Sequence, residues 1–486
     1  MDLTAIAEAA LDAAMRRGAR EADIRAVHRH GRSLLASGEG VGHATQTESL
    51  GVGIRVLVDG ALGFSGTDDL SGDGIERAVA RAVATARASG LVQGRAVALA
   101  PEPAHVDRWT SPCAVDPLAV PVDAQIAMLL SVNAELGRTR GVTLAEASLV
   151  CERTRQLFLS SSGSRIEQTR TSTGIGCRAY SFKDGELQQR SYPAGFGGLH
   201  QLKGYELVDE LDLLGQAPRV AEEAVALHGA DPCPVGPATV ILDGSQLALQ
   251  IHETIGHPTE LDRVLGAEAN FAGTSFLTPD RLGTLRLGSE IVNLVCDARP
   301  EHGPGLGTFA YDDEGVPAQG IDLVRGGRFC GYMTSRETAA RIGQARSNGT
   351  MRATGWSRLP LIRMTNVSLL PGEQSLEEVM GGADRAIYME THKSGSIDDR
   401  RYNFQFGCEI GWELRGGRRV RMLKNPTYGG VTTAFWNGCE AIANRDHWRL
   451  WSIPICGKGQ PEQVIGTGHG ASPARFRDIQ VGLAHG

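Results

Sequence analysis

Lysine is scarce in this chain: only Lys183, Lys203, Lys393, Lys424 and Lys458 occur, and arginine supplies the rest of the basic residues. With so much alanine and glycine beside it, the bias reads as base composition of the gene rather than function. No basic excess exists either. The net charge of −7 gives no reason to expect nucleic acid or an anionic membrane as partner. No apolar run approaches the ~18 residues of a membrane-spanning helix. Met1-Asp-Leu-Thr opens acidic, without the pattern of a signal peptide, so a cytoplasmic protein is the expectation. The nine cysteines are odd in number, scattered, and contain no Cys-x-x-Cys pair, which argues against a disulfide framework. Buried free thiols are the ordinary reading for eight of them.

What is present is an ordinary globular composition, 41% hydrophobic and 22% charged, in a chain too long for one core. Residues 2–17 have helical apolar spacing and a Gly18 stop. Glu21 to Ala36 alternates as a strand, and Gly51 to Phe64 reads as two strands around Asp59-Gly60. Helices are expected from Gly74, over about 122–138 and over 216–228. Strands are expected at Val142–Cys151, Arg155–Ser161 and Ser164–Phe182. The prediction for this half is a sheet covered by helices with no chemistry in it, and His28, His30 and His200 are read as structural.

Asp231-Pro-Cys-Pro-Val-Gly-Pro interrupts both periodicities, so the boundary is placed there, giving domains 1–230 and 231–486. Beyond it, Gly288–Val295, Gly320–Tyr332, Ile362–Leu369 and Gln405–Glu413 read as strands. Arg325-Gly-Gly-Arg and Arg415-Gly-Gly-Arg supply turn chemistry. Helices are few, near 335–343 and 375–380. The expected class is α+β: a mixed helix/sheet domain, then a mainly β, barrel-like domain carrying the site.

The chemistry concentrates in His252-Glu253-Thr254-Ile255-Gly256-His257, near the end of a helix that Asp243 or Ser245 would cap. Two imidazoles around a glutamate suggest a metal site with its own proton acceptor. Their separation of five leaves the rings about 140° apart on an ideal helix, at ~100° per residue. They can share an ion only if the intervening turn loosens into a π-type turn or breaks, and Gly256 and Pro258 would permit that. The bland alternative is a solvated helix end. Cys456, in the glycine-flanked Ile455-Cys-Gly-Lys-Gly-Gln, offers a thiolate as third ligand and leaves a fourth position for water.

HExxxH followed by a late CGKG resembles the TldD/PmbA family of metallopeptidases, in particular its metal-bearing TldD type. Gly51 to Ser65, Gly273-Thr-Ser-Phe, Asn403-Phe-Gln-Phe-Gly and Leu423-Lys-Asn-Pro-Thr extend the resemblance over most of the chain. It implies Zn²⁺ held by His252, His257 and Cys456, with Glu253 as general base. It also implies an extended or unfolded peptide as substrate, leader removal from a modified peptide or turnover of small unfolded proteins as role, and a dimer, with a TldE-type paralogue rather than a second copy. A small-amide hydrolase or biosynthetic enzyme using the same ion is the alternative. A non-catalytic TldE-like subunit fits less well, because the metal motif is intact.

Other residues stay open at this level. Glu260 or Asp262 could accept an imidazole N–H, or simply lie at an exposed acidic helix end. Lys458 could face an oxyanion or support its loop. The chain departs from the family's wording at Thr391 to Arg401 and at His469, where glutamine is more usual. His392 and His469 are the alternative ligands, and Phe404 and Phe406 are assigned to the core.

Overall fold

The computed structural model describes residues 3–92 and 94–483. The first half contains α1 (Leu3–Arg16), β1 (Glu21–Ser37), β2 (Gly40–Val58), β3 (Ala61–Thr67), α2 (Gly72–Gly90), β4 (Val106–Thr110) and α3 (Val122–Gly137). It continues with β5 (Leu144–Ser160), β6 (Arg165–Lys183), β7 (Glu186–Tyr192), β8 (Leu199–Gln201), α4 (Glu206–Leu211) and α5 (Leu213–Ala226). The expected first residue of α1, Asp2, lies outside the described residues.

These strands form one sheet in the order β3-β2-β1-β5-β6-β4, with β7 and β8 added on β6. The helices cover one face. Alanines make this possible at close range: Ala7, Ala10 and Ala14 of α1 and Ala78, Ala82 and Ala86 of α2 are buried together over β1 and β2. Gly63 lets α2 settle on β3, since a Cβ there would lie 2.1 Å from the Ala82 carbonyl oxygen. Ser71 caps α2 by accepting from the Gly74 N–H. The two strands expected at 142–151 and 155–161 are one continuous strand. Glu152 to Thr154 looked like an interruption, but β1 and β6 pair with β5 along its whole length, so its polar residues sit within the ladder.

Alternation along β5 divides the faces of the sheet. Ala147, Leu149 and Cys151 are buried against α3 and α5. Ser148, Val150, Glu152, Thr154 and Gln156 point the other way, into a cavity of about 450 Å³ shared with the second half of the chain. The halves are tied by buried ion pairs, among them Arg55 with Glu314 (2.6 Å) and Arg190 with Glu409 (3.2 Å).

In the second half, the strands Gly236–Leu242, Ala474–Val481, Thr427–Val431, Asn403–Arg415 and Arg385–Ile397 close into a five-strand barrel. The chain is α+β with this barrel in its C-terminal region. Phe404, Phe406, Tyr428, Phe435, Trp436 and Phe476 stack in the barrel's core, with ring centroids such as Phe435–Phe476 4.2 Å apart. Such aromatic pairs contribute about 0.5–1.5 kcal/mol each beyond their burial.

Between the first barrel strand and the second, regular structure is sparser than expected. The strand over 288–295 is only Leu294–Asp297, and 362–369 splits into Leu361–Ile362 and Val367–Leu369. The 320–332 run is a short hairpin, Gly320–Arg325 and Arg328–Phe329, turned by Gly326 and Gly327 at φ +54° and +75°. The helix near 335–343 is a single 3₁₀ turn, Ala339–Ile342. Side chains replace ladders here. Asn366 donates to the Asp297 carbonyl and accepts from the Gly307 N–H, satisfying backbone groups that a sheet would otherwise pair.

Candidate metal centre

The centre begins at α6 (Gly244–Ile251), which follows the first barrel strand directly. Asp243 is its N-cap, accepting from the Ser245 and Gln246 N–H groups. Every residue of α6 is buried, so the helix runs through the interior and ends at His252. There the helix widens. Residues His252–Gly256 form a π-turn closed by the His257 N–H donating to the His252 carbonyl. This is the loosening that a five-residue separation demands, and it brings the two rings edge to face with centroids 4.8 Å apart. Gly256 enables it by its lack of a side chain rather than by backbone freedom: its φ is −59°, and a Cβ would meet Met364 Sδ at 2.0 Å.

Cys456 arrives from the far end of the chain, on the hairpin Arg449–Lys458 and Gln463–Ala471. It lies within a strand and not, as expected, in a loop. Gly457 and Gly459 mark close packing and the turn, respectively, rather than a mobile segment. Its Sγ is 3.6 Å from His257 Nε2, and the three candidate donors of His252, His257 and Cys456 all lie within 4.8 Å of one another. All three residues are buried.

Their donor chemistry suits a zinc ion. Bond lengths of ~2.1 Å to nitrogen and ~2.3 Å to sulfur, at a tetrahedral angle, place those two atoms about 3.6 Å apart. Each imidazole also has its second nitrogen engaged. His257 Nδ1 is 3.0 Å from Glu260 Oε2, and His252 Nδ1 is 2.9 Å from His469 Nε2, leaving His252 Nε2 without a protein partner among the described residues. Burial lowers the pKa of His252 to about 4 and lowers that of His257, so both rings are neutral near pH 7. The Cys456 thiol pKa lies below its usual value: burial opposes ionisation and the neighbouring His257 and Arg363 favour it, the Arg363 charge being the part that remains when the His257 ring is neutral. Neutral imidazoles and an ionisable thiol are the protonation states that metal binding needs.

The open residues now have places. Glu260 is the acceptor behind His257. Burial would raise its pKa, yet Lys458, His257 and Arg263 together hold it well below the ordinary carboxylate value. Lys458 is buried and donates to Asp262 (2.7 Å) and to the Ile362 carbonyl (2.6 Å), so it braces this acidic group rather than facing substrate. His469 stands behind His252, outside the cluster of three. His392 stacks on Phe196 at 4.9 Å instead of joining them. Glu253 is paired with Arg401, Oε2 to Nη1 at 2.6 Å, with both side chains partly exposed. Arg401 ends the stretch that departs from the family's wording, but nothing in the sequence marks it as the partner of Glu253. Nor does anything mark Arg363, which donates to the carbonyls of Cys456 and Gln463 and so pins both strands of the hairpin.

The described residues contain no helix long and apolar enough to cross a membrane. A barrel with an internal π-turn, two imidazoles and a thiol defines the class: a protein with a candidate metal centre of His, His and Cys. The chain belongs to the PmbA/TldA metallopeptidase family, the one resembled in sequence as TldD/PmbA, and is therefore a metallopeptidase acting on peptide bonds. Models of all three family domains match it: domain 1 over residues 22–86, the central domain over 115–228 and the C-terminal domain over 235–482.

A metalloprotease of Methanothermobacter thermautotrophicus is 28% identical over 95% of each chain. A zinc metalloprotease TldD homolog of Saccharolobus solfataricus is 29% identical over 53% of this chain and 54% of its own. The crystal structure of TldE from Thermococcus kodakarensis superposes with a TM-score of 0.71 at 16% identity, covering 98% of this chain and 99% of that one.

Proposed function

We propose that this chain is a zinc-dependent peptidase that hydrolyses extended or unfolded peptide, with His252, His257 and Cys456 holding the ion and Glu253 as general base. The observation that carries the reading is the 3.6 Å separation of Cys456 Sγ from His257 Nε2, an edge of the right length for a zinc tetrahedron. A zinc ion bound there would supply Lewis acidity at the scissile carbonyl and acidify the attacking water. Glu253, next in sequence to a ligand but turned aside from it, takes the water's proton and delivers it to the leaving amine. Arg401 orients its carboxylate.

The substrate enters the cavity between the N-terminal sheet and the Cys456 hairpin. A β-rich domain suits a peptide bound in extended form. The working unit in this reading divides at residue 230 into an α+β domain and a catalytic domain, resides in the cytoplasm, and pairs with a TldE-type paralogue, a chain type whose fold the present one shares. Removing a leader from a modified peptide is the role this chemistry suits.

Turnover of an unstructured peptide, the same sequence in a folded protein, and small amides, each with and without the paralogue, tests the reading. Cleavage confined to the unstructured peptide and stimulated by the paralogue is expected. Preference for small amides would replace the peptidase reading with small-amide hydrolysis.

A further inference from the structure

The cavity beside the hairpin has an unbalanced charge. Its floor is the polar face of the N-terminal sheet, and its opposite wall includes Pro454, Ile455, Val464, Ile465 and Gly466. Those residues flank Cys456 and its register partner Ile465, so the cavity abuts the metal centre along the chain itself. Two carboxylates line it, and both are already engaged. Glu152 is paired with Arg29. Asp313 accepts from Gln156 Nε2 (2.7 Å) and from the Ala353 N–H (2.7 Å), with buried Arg25 at 3.7 Å.

Two cations line it without such partners. Arg352, only 6% exposed, donates to carbonyls alone: Met364 at 2.8 Å and Leu306 at 2.9 Å. Carbonyl dipoles satisfy its N–H groups but do not neutralise its charge. Arg170 has no side-chain hydrogen bond or ion pair among the described residues, although it projects from the same sheet face as its register partner Thr154. Burial, then Arg170 and Arg363, push the Arg352 pKa down to about 9, against the opposing charges of Asp313 and, to a lesser degree, Cys456. Neither guanidinium has a salt bridge among the described residues, and the Asp313 carboxylate that acts on Arg352 is already shared with Arg25, Gln156 and the Ala353 N–H, so the part-buried cavity suits a further anion.

We propose that this cavity is a carboxylate-binding subsite, in which Arg170 and Arg352 hold an acidic group of the peptide beside the metal centre. The proposal rests on the peptidase reading above and narrows its substrate class. The carboxylate comes either from an aspartate or glutamate side chain or from the peptide's C-terminus. Arg170 is the residue free to reach toward it, because Arg352 is fixed by its two carbonyls. Arg170 makes a charged hydrogen bond only when the acid is present, so it selects among peptides rather than binding all of them more tightly.

The test is binding of fluorescent unstructured peptides to the full chain carrying Glu253→Gln, which leaves the peptide uncut. Three peptides of one sequence are compared: one with an internal glutamate and an amidated end, one with glutamine there and an amidated end, and one with glutamine and a free carboxyl end. The proposal predicts that one of the two acids binds about 10–100-fold more tightly than the neutral peptide, from a charged hydrogen bond of ordinary strength. Whichever acid gains identifies the source. Arg170→Gln should abolish the preference without changing zinc content or the affinity for the neutral peptide, and Arg170→Lys should restore part of it. Equal affinities for all three, no binding of any, or a preference that survives Arg170→Gln would overturn the proposal. Rates on the wild-type chain keep the two readings apart. Peptides cut with no acid preference would sink the subsite and leave the peptidase, whereas Arg170-dependent binding without any cleavage would do the reverse.

Discussion

His252 Nδ1 lies 2.9 Å from His469 Nε2, and His469 Nδ1 lies 2.9 Å from the Val367 carbonyl oxygen. A carbonyl can only accept, so His469 donates from Nδ1 and is left with a lone pair on Nε2. His252 must then donate from Nδ1, which leaves its Nε2 lone pair for a metal. The backbone of Val367 thus sets the tautomer of a candidate ligand through one intervening ring.

This relay predicts a graded response at position 469. His469→Leu removes the acceptor and should weaken zinc binding about 10–100-fold. His469→Gln offers an amide oxygen to the same N–H and should lose much less. Chelator competition on both variants measures the difference, and equal affinities would show that His252 needs no such partner.

Arg401 makes the second prediction. It holds Glu253 at 2.6 Å from a left-handed backbone conformation, φ +63°, that is uncommon for a residue with a side chain. Structure that maintains such a conformation is fixing a position. Arg401→Gln should therefore lower kcat by about tenfold, through loss of orientation of the base, while zinc content stays near that of the wild type. Unchanged kcat would make the pair a surface ion pair and nothing more.

Acid sensitivity is the third. Burial holds the pKa of both His200 and His392 near 4 in the folded chain, against ~6.5 in an unfolded one. Between those values the unfolded chain binds more protons, so stability must fall as pH drops from about 6.5 toward 4. Each ring contributes at most ~1.4 kcal/mol per pH unit within that window. Denaturant unfolding of the metal-free chain at several pH values checks the slope. The double variant His200→Gln, His392→Gln should reduce it, with the buried rings of His252, His257 and His469 supplying the remainder, and an unaltered slope would place the titration elsewhere.

The parts of this architecture that could be read from sequence are those with local causes. Asp59-Gly60 marks a turn, and a separation of five from His252 to His257 requires a widened helix. Both hold in the fold, the second as a π-turn. The irregular stretch between the first two barrel strands could not be read, because side chains such as Asn366 and Asp312 hold backbone N–H groups far away in sequence, those of Gly307 and Met351. Cys456 looked like a loop residue because its neighbours are glycines, yet its strand pairs with 463–471 and is pinned by Arg363. The setting of the first half's polar face was hidden for another reason. Alternation shows that β5 has a polar face, but only the tertiary fold shows that this face looks onto the hairpin that carries Cys456 and not into solvent.

The most direct measurement is zinc content by elemental analysis alongside peptide turnover, on Glu253→Gln and Cys456→Ser. The account predicts that Glu253→Gln keeps about one zinc per chain while turnover falls roughly 10²–10⁴-fold, the usual contribution of a general base. Cys456→Ser, which exchanges a thiolate for a poor hydroxyl ligand, should lose zinc and turnover together. Retention of both by Cys456→Ser would remove the thiolate from the site, and undiminished turnover by Glu253→Gln would contradict the assignment of the base.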